Sequence, residues 1–173
     1  ALCGVRLEVA NAETVSRARS RNALNDLEVR LFAAALDGLG LVPGDTVMLD
    51  AADTVAARFA VRVAGILEGR LPPGTHLRSE HGADDRYPEV AAASIIAKAA
   101  RDRWMEDYCR DVGVAAGSGY PSDPATTTFI REWYLRHSEL PPHTRRSWAT
   151  VRNLALGQHT MDGWLDGGDA CGE

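Results

Sequence analysis

Lysine is nearly missing from this sequence: Lys98 is the only one among 173 residues, and every other basic side chain in the Lys and Arg set is arginine. The imbalance points to a GC-rich or salt-adapted source or to compositional drift. Cysteine is scarce too. Cys3, Cys109 and Cys171 are odd in number, far apart and without a Cys-x-x-Cys pair, which speaks against a disulfide framework and against a zinc site. No apolar run approaches the roughly 18 residues of a membrane span, and the N-terminus lacks a basic flank followed by a hydrophobic centre. A soluble, cytoplasmic protein is expected. Positive charge is also short, with a net charge of −5, so no overall field favours a nucleic-acid partner. What is present, 45% hydrophobic and 25% charged residues, suffices for one domain with a real core and a tail.

Periodicity gives the order of elements. Residues 3–9, CGVRLEV, alternate as a strand does, while 25–40 repeat apolar residues at helical spacing from an Asn25 cap to a terminal glycine. After the turn Pro43-Gly44-Asp45, the run TVMLDAA reads as a buried strand and VAARFAVRVAGILEG as a helix. Leu71-Pro72-Pro73-Gly74 interrupts the pattern before a second short strand, THLRSE, and helices are expected over 88–112, 124–137 and 145–156. Alternating strands and helices favour an α/β domain with parallel pairing. The last 17 residues are Gly-rich and acidic, the composition of a loosely structured tail.

The carboxylates carry the chemistry. Asp50 closes an apolar strand, and the C-terminal ends of strands in open α/β sheets line the crevice where ligands bind; a helix cap is the alternative. Asp84 and Asp85 follow the next strand and precede Pro88, which puts Asp84 at the same sheet edge, again with a helix cap as the alternative. Magnesium and manganese take oxygen ligands and keep several waters, so few carboxylates and a substrate phosphate complete such a site. The helix that follows has a small face, Ala92, Ser94, Ala97 and Ala100, suited to close packing or to close approach of a nucleic-acid strand. Lys98 and Arg101, three apart on one helix face, can both reach phosphate oxygens. Arg145 and Arg146 with Trp148 make a second basic and aromatic cluster, although such clusters are also ordinary solvated faces. GSGYPSDP at 117–124 reads on its own as a turn.

The segments GADDRYPEVAAASIIAKAARDR (82–103), GSGYPSDP, HSELPPHTRRSWATVRN (137–153) and LDAADTVAARF (49–59) together resemble the archaeal branch of ribonuclease HII. The resemblance runs from Ala1 to about Leu156. It implies a ribonuclease H-like α/β fold, with a mixed sheet flanked by helices and a helical C-terminal region. It implies an endoribonuclease that cleaves RNA in hybrids and duplex DNA 5′ of embedded ribonucleotides by two-metal hydrolysis with Mg2+ or Mn2+, in ribonucleotide excision repair and replication. Asp50 and Asp84 match the third and fourth carboxylates of the family's catalytic, metal-binding set, and Tyr120 matches the tyrosine that reads the sugar at an RNA-to-DNA junction. Lys98, Arg101, Arg145 and Arg146 are the expected substrate phosphate contacts.

Two departures qualify the resemblance. The Asp-Glu pair of a DEAGRG-like first strand and an Asp-Ser-Lys motif are not found here, so the chain looks like an N-terminally truncated member whose first two strands are missing. A gap in the sheet between 3–9 and 46–50, and little or no hydrolysis, are expected. The alternative is a non-catalytic nucleic-acid-binding fragment tethered to a sliding clamp. Gly82 also stands where the family commonly has lysine. A domain over 1–156 and a tail over 157–173 are expected, and the tail is similar to a clamp-binding peptide at Gln158, Met161, Trp164 and Leu165. The partners so implied are RNA/DNA hybrid, ribonucleotide-containing duplex and a sliding clamp, with no membrane, and the chain is expected to be a monomer.

Overall fold

The computed structural model describes residues 4–153. The chain divides into two compact units: residues up to Asn11 with Arg21–Arg103, and Ala12–Ser20 with the chain from Trp104 onward. Helix α1 spans Ala12–Ser20, α2 Leu24–Asp37, α3 Ala56–Ile66, α4 Pro88–Val112 and α5 Pro124–His137; the strands are β1, Thr46–Asp50, and β2, His76–Glu80. Among the described residues no helix is long and apolar enough to cross a membrane.

The first unit is built on β1 and β2, which pair in parallel from Thr46 opposite His76 to Asp50 opposite Glu80. Parallel strands need a crossover, and the helical run after β1 supplies it as α3. Two Pro-Gly turns stand together where the strands begin. Gly44 N–H donates to the Pro73 carbonyl at 3.1 Å, and both Gly44 and Gly74 have left-handed backbones, which glycine adopts without a Cβ clash. The core joins Val29, Ala33 and Leu36 of α2 to Leu49 of β1 and to Phe59, Ala60, Val63 and Leu67 on and after α3. Phe32 and Phe59 meet edge-on at 5.0 Å between ring centroids. The Ser79 hydroxyl joins β2 to α3, accepting from Ala60 N–H at 3.0 Å and donating to the Ala56 carbonyl at 2.5 Å.

Within the second unit, Ala116, Phe129, Ile130 and Val151 form the buried centre, with Tyr108, Cys109, Trp133 and Trp148 packed around it. The expected helices over 88–112 and 124–137 have the observed bounds. Three other expectations need correction. Residues 4–9 form no strand, and Val5, Leu7 and Val9 are 59%, 44% and 83% exposed; alternation describes a strand only where a partner and a covered face exist, and the described sheet has β1 and β2 alone. Asn25 does not cap α2, because the helix begins at Leu24 after Ala23, with no side-chain cap. The helix expected from 145 begins at 149, the preceding residues being turns, and Pro141 and Pro142 with the left-handed His143 (φ 60°) favour that delay. Helix α1 escaped the periodicity because it buries no residue and so has no apolar stripe to detect.

Phe59 has no exposed surface, and its ring fills the space between α2 and α3. Phe59→Ala should therefore destabilise the protein by about 3–5 kcal/mol, seen as a lower urea midpoint with an unchanged slope.

Candidate functional site

The last residues of β1 and β2 place carboxylates side by side. Asp50 and Glu80 are opposite one another in the ladder, and pairing continues one step further through Ala51 N–H to the Glu80 carbonyl at 2.9 Å. Beyond Glu80 the chain reverses through Gly82, whose φ of 61° is left-handed. Glycine fits this backbone better than a lysine would, a local reason for the departure noted at this position. A single 3-10 turn, Ala83–Asp85, follows, and its first N–H, that of Ala83, donates to Asp50 Oδ1 at 3.3 Å. Asp84, the next residue, is thereby held beside the end of β1.

The acidic groups of this edge divide into two kinds. Glu80 is committed: it accepts from Arg86 at 2.8 Å and from the Tyr87 hydroxyl at 2.9 Å, and that hydrogen bond, followed by burial, raises the Tyr87 phenol above its ordinary pKa. Asp53 is committed more strongly. Its carboxylate has no exposed area, is gripped by two nitrogens of Arg58, one at 2.9 Å, and meets Arg62 at 3.3 Å. The Arg58 hydrogen bond is the first cause of its pKa lying far below the usual carboxylate range, against the opposing effect of burial. Asp50 and Asp84, both half-buried, have no cationic partner among the described residues. Asp85, on the same turn as Asp84 and exposed, also has no ion pair among the described residues, and Asp50 accepts only the Ala83 amide.

Two oxygen-donor side chains at one edge suit a hard divalent cation in kind. Magnesium is commonly held by one or two carboxylates, with waters and a substrate phosphate for the rest. Among the described residues no group of three His, Cys, Asp or Glu side chains could hold a metal ion, so an all-protein cage is not formed there.

Of the basic residues, Lys98 is exposed on α4 and Arg101 pairs with the neighbouring Asp102 at 3.0 Å. Helix α4 has no fully buried residue; of its small face, Ala92 and Ala97 are exposed while Ser94 and Ala100 are half-buried. In the second unit, Arg145 and Arg146 are exposed in the turn before 149–153. Tyr120 is half exposed on a loop tied down at both ends. Ser118 N–H donates to Asp123 Oδ2 at 2.6 Å, Gly119 N–H to Thr126 Oγ1 at 2.8 Å and Asp123 N–H to the Tyr120 carbonyl at 3.1 Å. Asp123 also caps α5 through Ala125 N–H at 2.9 Å; the Ser118 and Ala125 amides lower its pKa to about 2. Gln158, Met161, Trp164 and Leu165 lie outside the described residues.

Sequence reasoning passed over Asp53, Arg58 and Arg62, and over Asp123 and Thr126. Asp123 had a readable signal, since an aspartate directly before a helix-opening proline is a capping pattern. Asp53 had none: three residues after Asp50 in LDAAD, nothing local distinguishes the buried carboxylate from the free one.

The model of the ribonuclease HII family matches residues 3–151. The chain is similar to the ribonuclease HII of Thermococcus onnurineus, 43% identical over 150 residues that cover 87% of this chain and 62% of that protein. The chain thus spans less than two thirds of that relative's length. The crystal structure of the ribonuclease H2 from Pyrococcus horikoshii superposes with a TM-score of 0.75 at 34% identity, covering 87% of this chain and 67% of that one. An RNase HII solved in complex with PCNA, from Archaeoglobus fulgidus, superposes with a TM-score of 0.67 at 29% identity, covering 80% and 63%.

A carboxylate whose folded pKa is depressed stabilises the fold above its unfolded pKa, about 3.9 for aspartate, and that stability is lost as pH falls toward the folded value. Asp53→Asn, which keeps the shape and removes the charge facing Arg58 and Arg62, should lower the melting temperature by several degrees at pH 7. It should also flatten the loss of stability below about pH 4, measured by thermal melts from pH 7 to pH 2.

Proposed function

The chain belongs to the ribonuclease HII family, and from that premise we propose that it serves phosphodiester cleavage at ribonucleotides within RNA/DNA hybrids and duplex DNA, on the 5′ side of the ribonucleotide. The observation that carries this reading is the free pair Asp50 and Asp84 at the end of β1, beside two acidic neighbours that arginines have already neutralised. Half-buried and without an arginine or lysine partner among the described residues, these two carboxylates are available to a cation. In this reading Asp50 and Asp84 hold Mg2+ or Mn2+ together with waters and the substrate phosphate. The cation supplies Lewis-acid stabilisation of the scissile phosphate. Tyr120 lies against the sugar at the RNA-to-DNA junction, where the 2′-hydroxyl distinguishes RNA from DNA. Lys98, Arg101, Arg145 and Arg146 contact phosphates and set orientation without reading sequence.

Two carboxylates hold a cation less firmly than three or four, and the described residues bring together no group of three metal-holding side chains. The chain by itself is therefore proposed to bind magnesium weakly and to cleave slowly, acting mainly as a duplex-binding body. The test is a DNA duplex with one embedded ribonucleotide, incubated with the chain and Mg2+ or Mn2+. Trace cleavage at most is expected, abolished in Asp50→Asn and in Asp84→Asn, with both variants retaining duplex binding. Rapid cleavage that Asp50→Asn removes would overturn the weak-site reading while upholding the assignment of Asp50. Cleavage unaffected by either substitution would remove both residues from the site.

A second proposal concerns the tail. The solved Archaeoglobus relative is a complex with PCNA, and the spacing of Gln158, Met161, Trp164 and Leu165 suits a short segment that orders as it docks in an apolar pocket. A peptide of residues 157–173 is expected to bind an archaeal sliding clamp, and Trp164→Ala with Leu165→Ala to weaken it by about tenfold or more, as for loss of central anchors. Equal binding by the two peptides would end this proposal.

A further inference from the structure

The loop that presents Tyr120 is built more rigidly than a connection between helices requires. Thr126 is 3% exposed, and its hydroxyl stands at the centre of the loop: it donates to the Ala116 carbonyl at 3.0 Å, accepts from Gly119 N–H at 2.8 Å and lies 3.2 Å from Asp123 Oδ2. The same Asp123 oxygen takes the Ser118 amide at 2.6 Å, while its other oxygen takes Ala125. An N-cap needs only one or two amides of its own helix. Here cap and loop share one carboxylate, and the amides of Ser118 and Gly119, the two residues before Tyr120, are both spent on it or on Thr126.

Gly117 shows how little slack remains. Its φ is +69°, and a Cβ there would stand 2.6 Å from both Thr126 N and Oγ1 and 2.7 Å from Asp123 Oδ2. The loop therefore closes onto the first turn of α5 with no room for even a methyl group. Tyr120 emerges from this closed base half exposed, with Pro121 behind it restricting its backbone.

We propose that Asp123 and Thr126, with Gly117 giving them room, are positioning residues that hold Tyr120 in the one orientation from which it tells a ribonucleotide sugar from a deoxyribonucleotide sugar. The inference rests on the reading of Tyr120 given above and adds the residues that make that contact selective. A tyrosine on a mobile loop reaches a sugar of either kind with similar ease. Pre-organisation makes one contact geometry cheaper than the others, and the 2′-hydroxyl is a demand of about one ångström on that geometry.

The test uses the whole chain with two fluorescent DNA duplexes identical except for one embedded ribonucleotide, and reads the ratio of their affinities in the presence of Ca2+ to suppress cleavage. Amide hydrogen exchange is followed on the same samples. Tyr120→Ala should reduce the ratio about fivefold or more, as expected for a lost ring contact. Asp123→Ala and Thr126→Val should reduce it toward the Tyr120→Ala value, and should speed exchange at Ser118 and Gly119 about five- to tenfold, the effect of a lost cap. Affinity for the all-DNA duplex and exchange in the first unit should not change. Thr126→Ser, which restores the hydroxyl, should recover the ratio, and Gly117→Ala should lower it with every side chain of the clamp still present.

Asp123→Ala and Thr126→Val that keep the full ratio while Tyr120→Ala loses it would overturn the positioning role and leave Tyr120 in place. A ratio unchanged in Tyr120→Ala would overturn the reading of Tyr120 and this inference with it. Equal affinity of the unaltered chain for both duplexes would do the same. Loss of the ratio in Thr126→Ser as well as in Thr126→Val would show that packing rather than the hydroxyl network is responsible, and would also overturn the proposal.

Discussion

The first unit depends on a buried carboxylate. Asp53 has lost all contact with water, and a charge in that position is tolerated only when opposite charge and hydrogen bonds replace hydration. Arg58 and Arg62 on α3 provide them, together with the Val55 amide at 3.3 Å. Because both arginines lie on the helix that crosses between the strands, the ion cluster ties the end of β1 to α3. Arg62 reaches on to Asp26 of α2, so one side chain links the strand exit to both core helices. The apolar packing of Phe59, Val63 and Leu67 supplies most of the stabilisation, being large and non-directional. The charge cluster supplies direction, since it is satisfied in one arrangement of these elements.

That arrangement sorts the acidic residues. Asp50 and Asp53 lie at or just past the end of one strand and Glu80 and Asp84 at or just past the end of the other, and at the level of composition the four are equivalent. Arginines take up Asp53 and Glu80. Asp50 keeps a single long hydrogen bond from the Ala83 amide, which holds its carboxyl without neutralising it. Neighbouring carboxylates repel, and this proximity persists because the backbone pairing of β1 with β2 and the turn at Gly82 impose it. It is on this arrangement that the proposal of a divalent cation held by Asp50 and Asp84 rests.

The second unit solves a different problem with similar means. Tyr120 stands half exposed on a loop, and loops are ordinarily mobile. Asp123 and Thr126 remove that mobility by using the loop's own amides, and the absent side chain of Gly117 lets them approach. Here a helix cap, a loop base and a proline act on one short stretch of chain.

Much of this was legible in the residues. Helices α4 and α5 declared themselves at both ends, through Pro88 and Pro124 at their starts and through the turn residues after them, because caps and breakers act locally. The parallel pairing of β1 and β2 followed from strand, helix and strand in succession. The membership of the ribonuclease HII family was legible as well, through the segments at 49–59, 82–103, 117–124 and 137–153. Other features were not legible. Residues 4–9 alternate like a strand yet form none, because pairing depends on a neighbour that alternation cannot specify. The sequence by itself thus determined the helices with an apolar stripe or a clear start, α2 to α5, but not α1, together with where β1 and β2 end and which residue types stand at those ends. Only the tertiary structure decided which carboxylates are spent on arginines and which are free, and which amides are available to hold Tyr120. Charge neutralisation and hydrogen-bond satisfaction are settled over a few ångströms in space, between residues as far apart as Asp26 and Arg62 or Asp50 and Ala83, and distance along the chain carries no record of them.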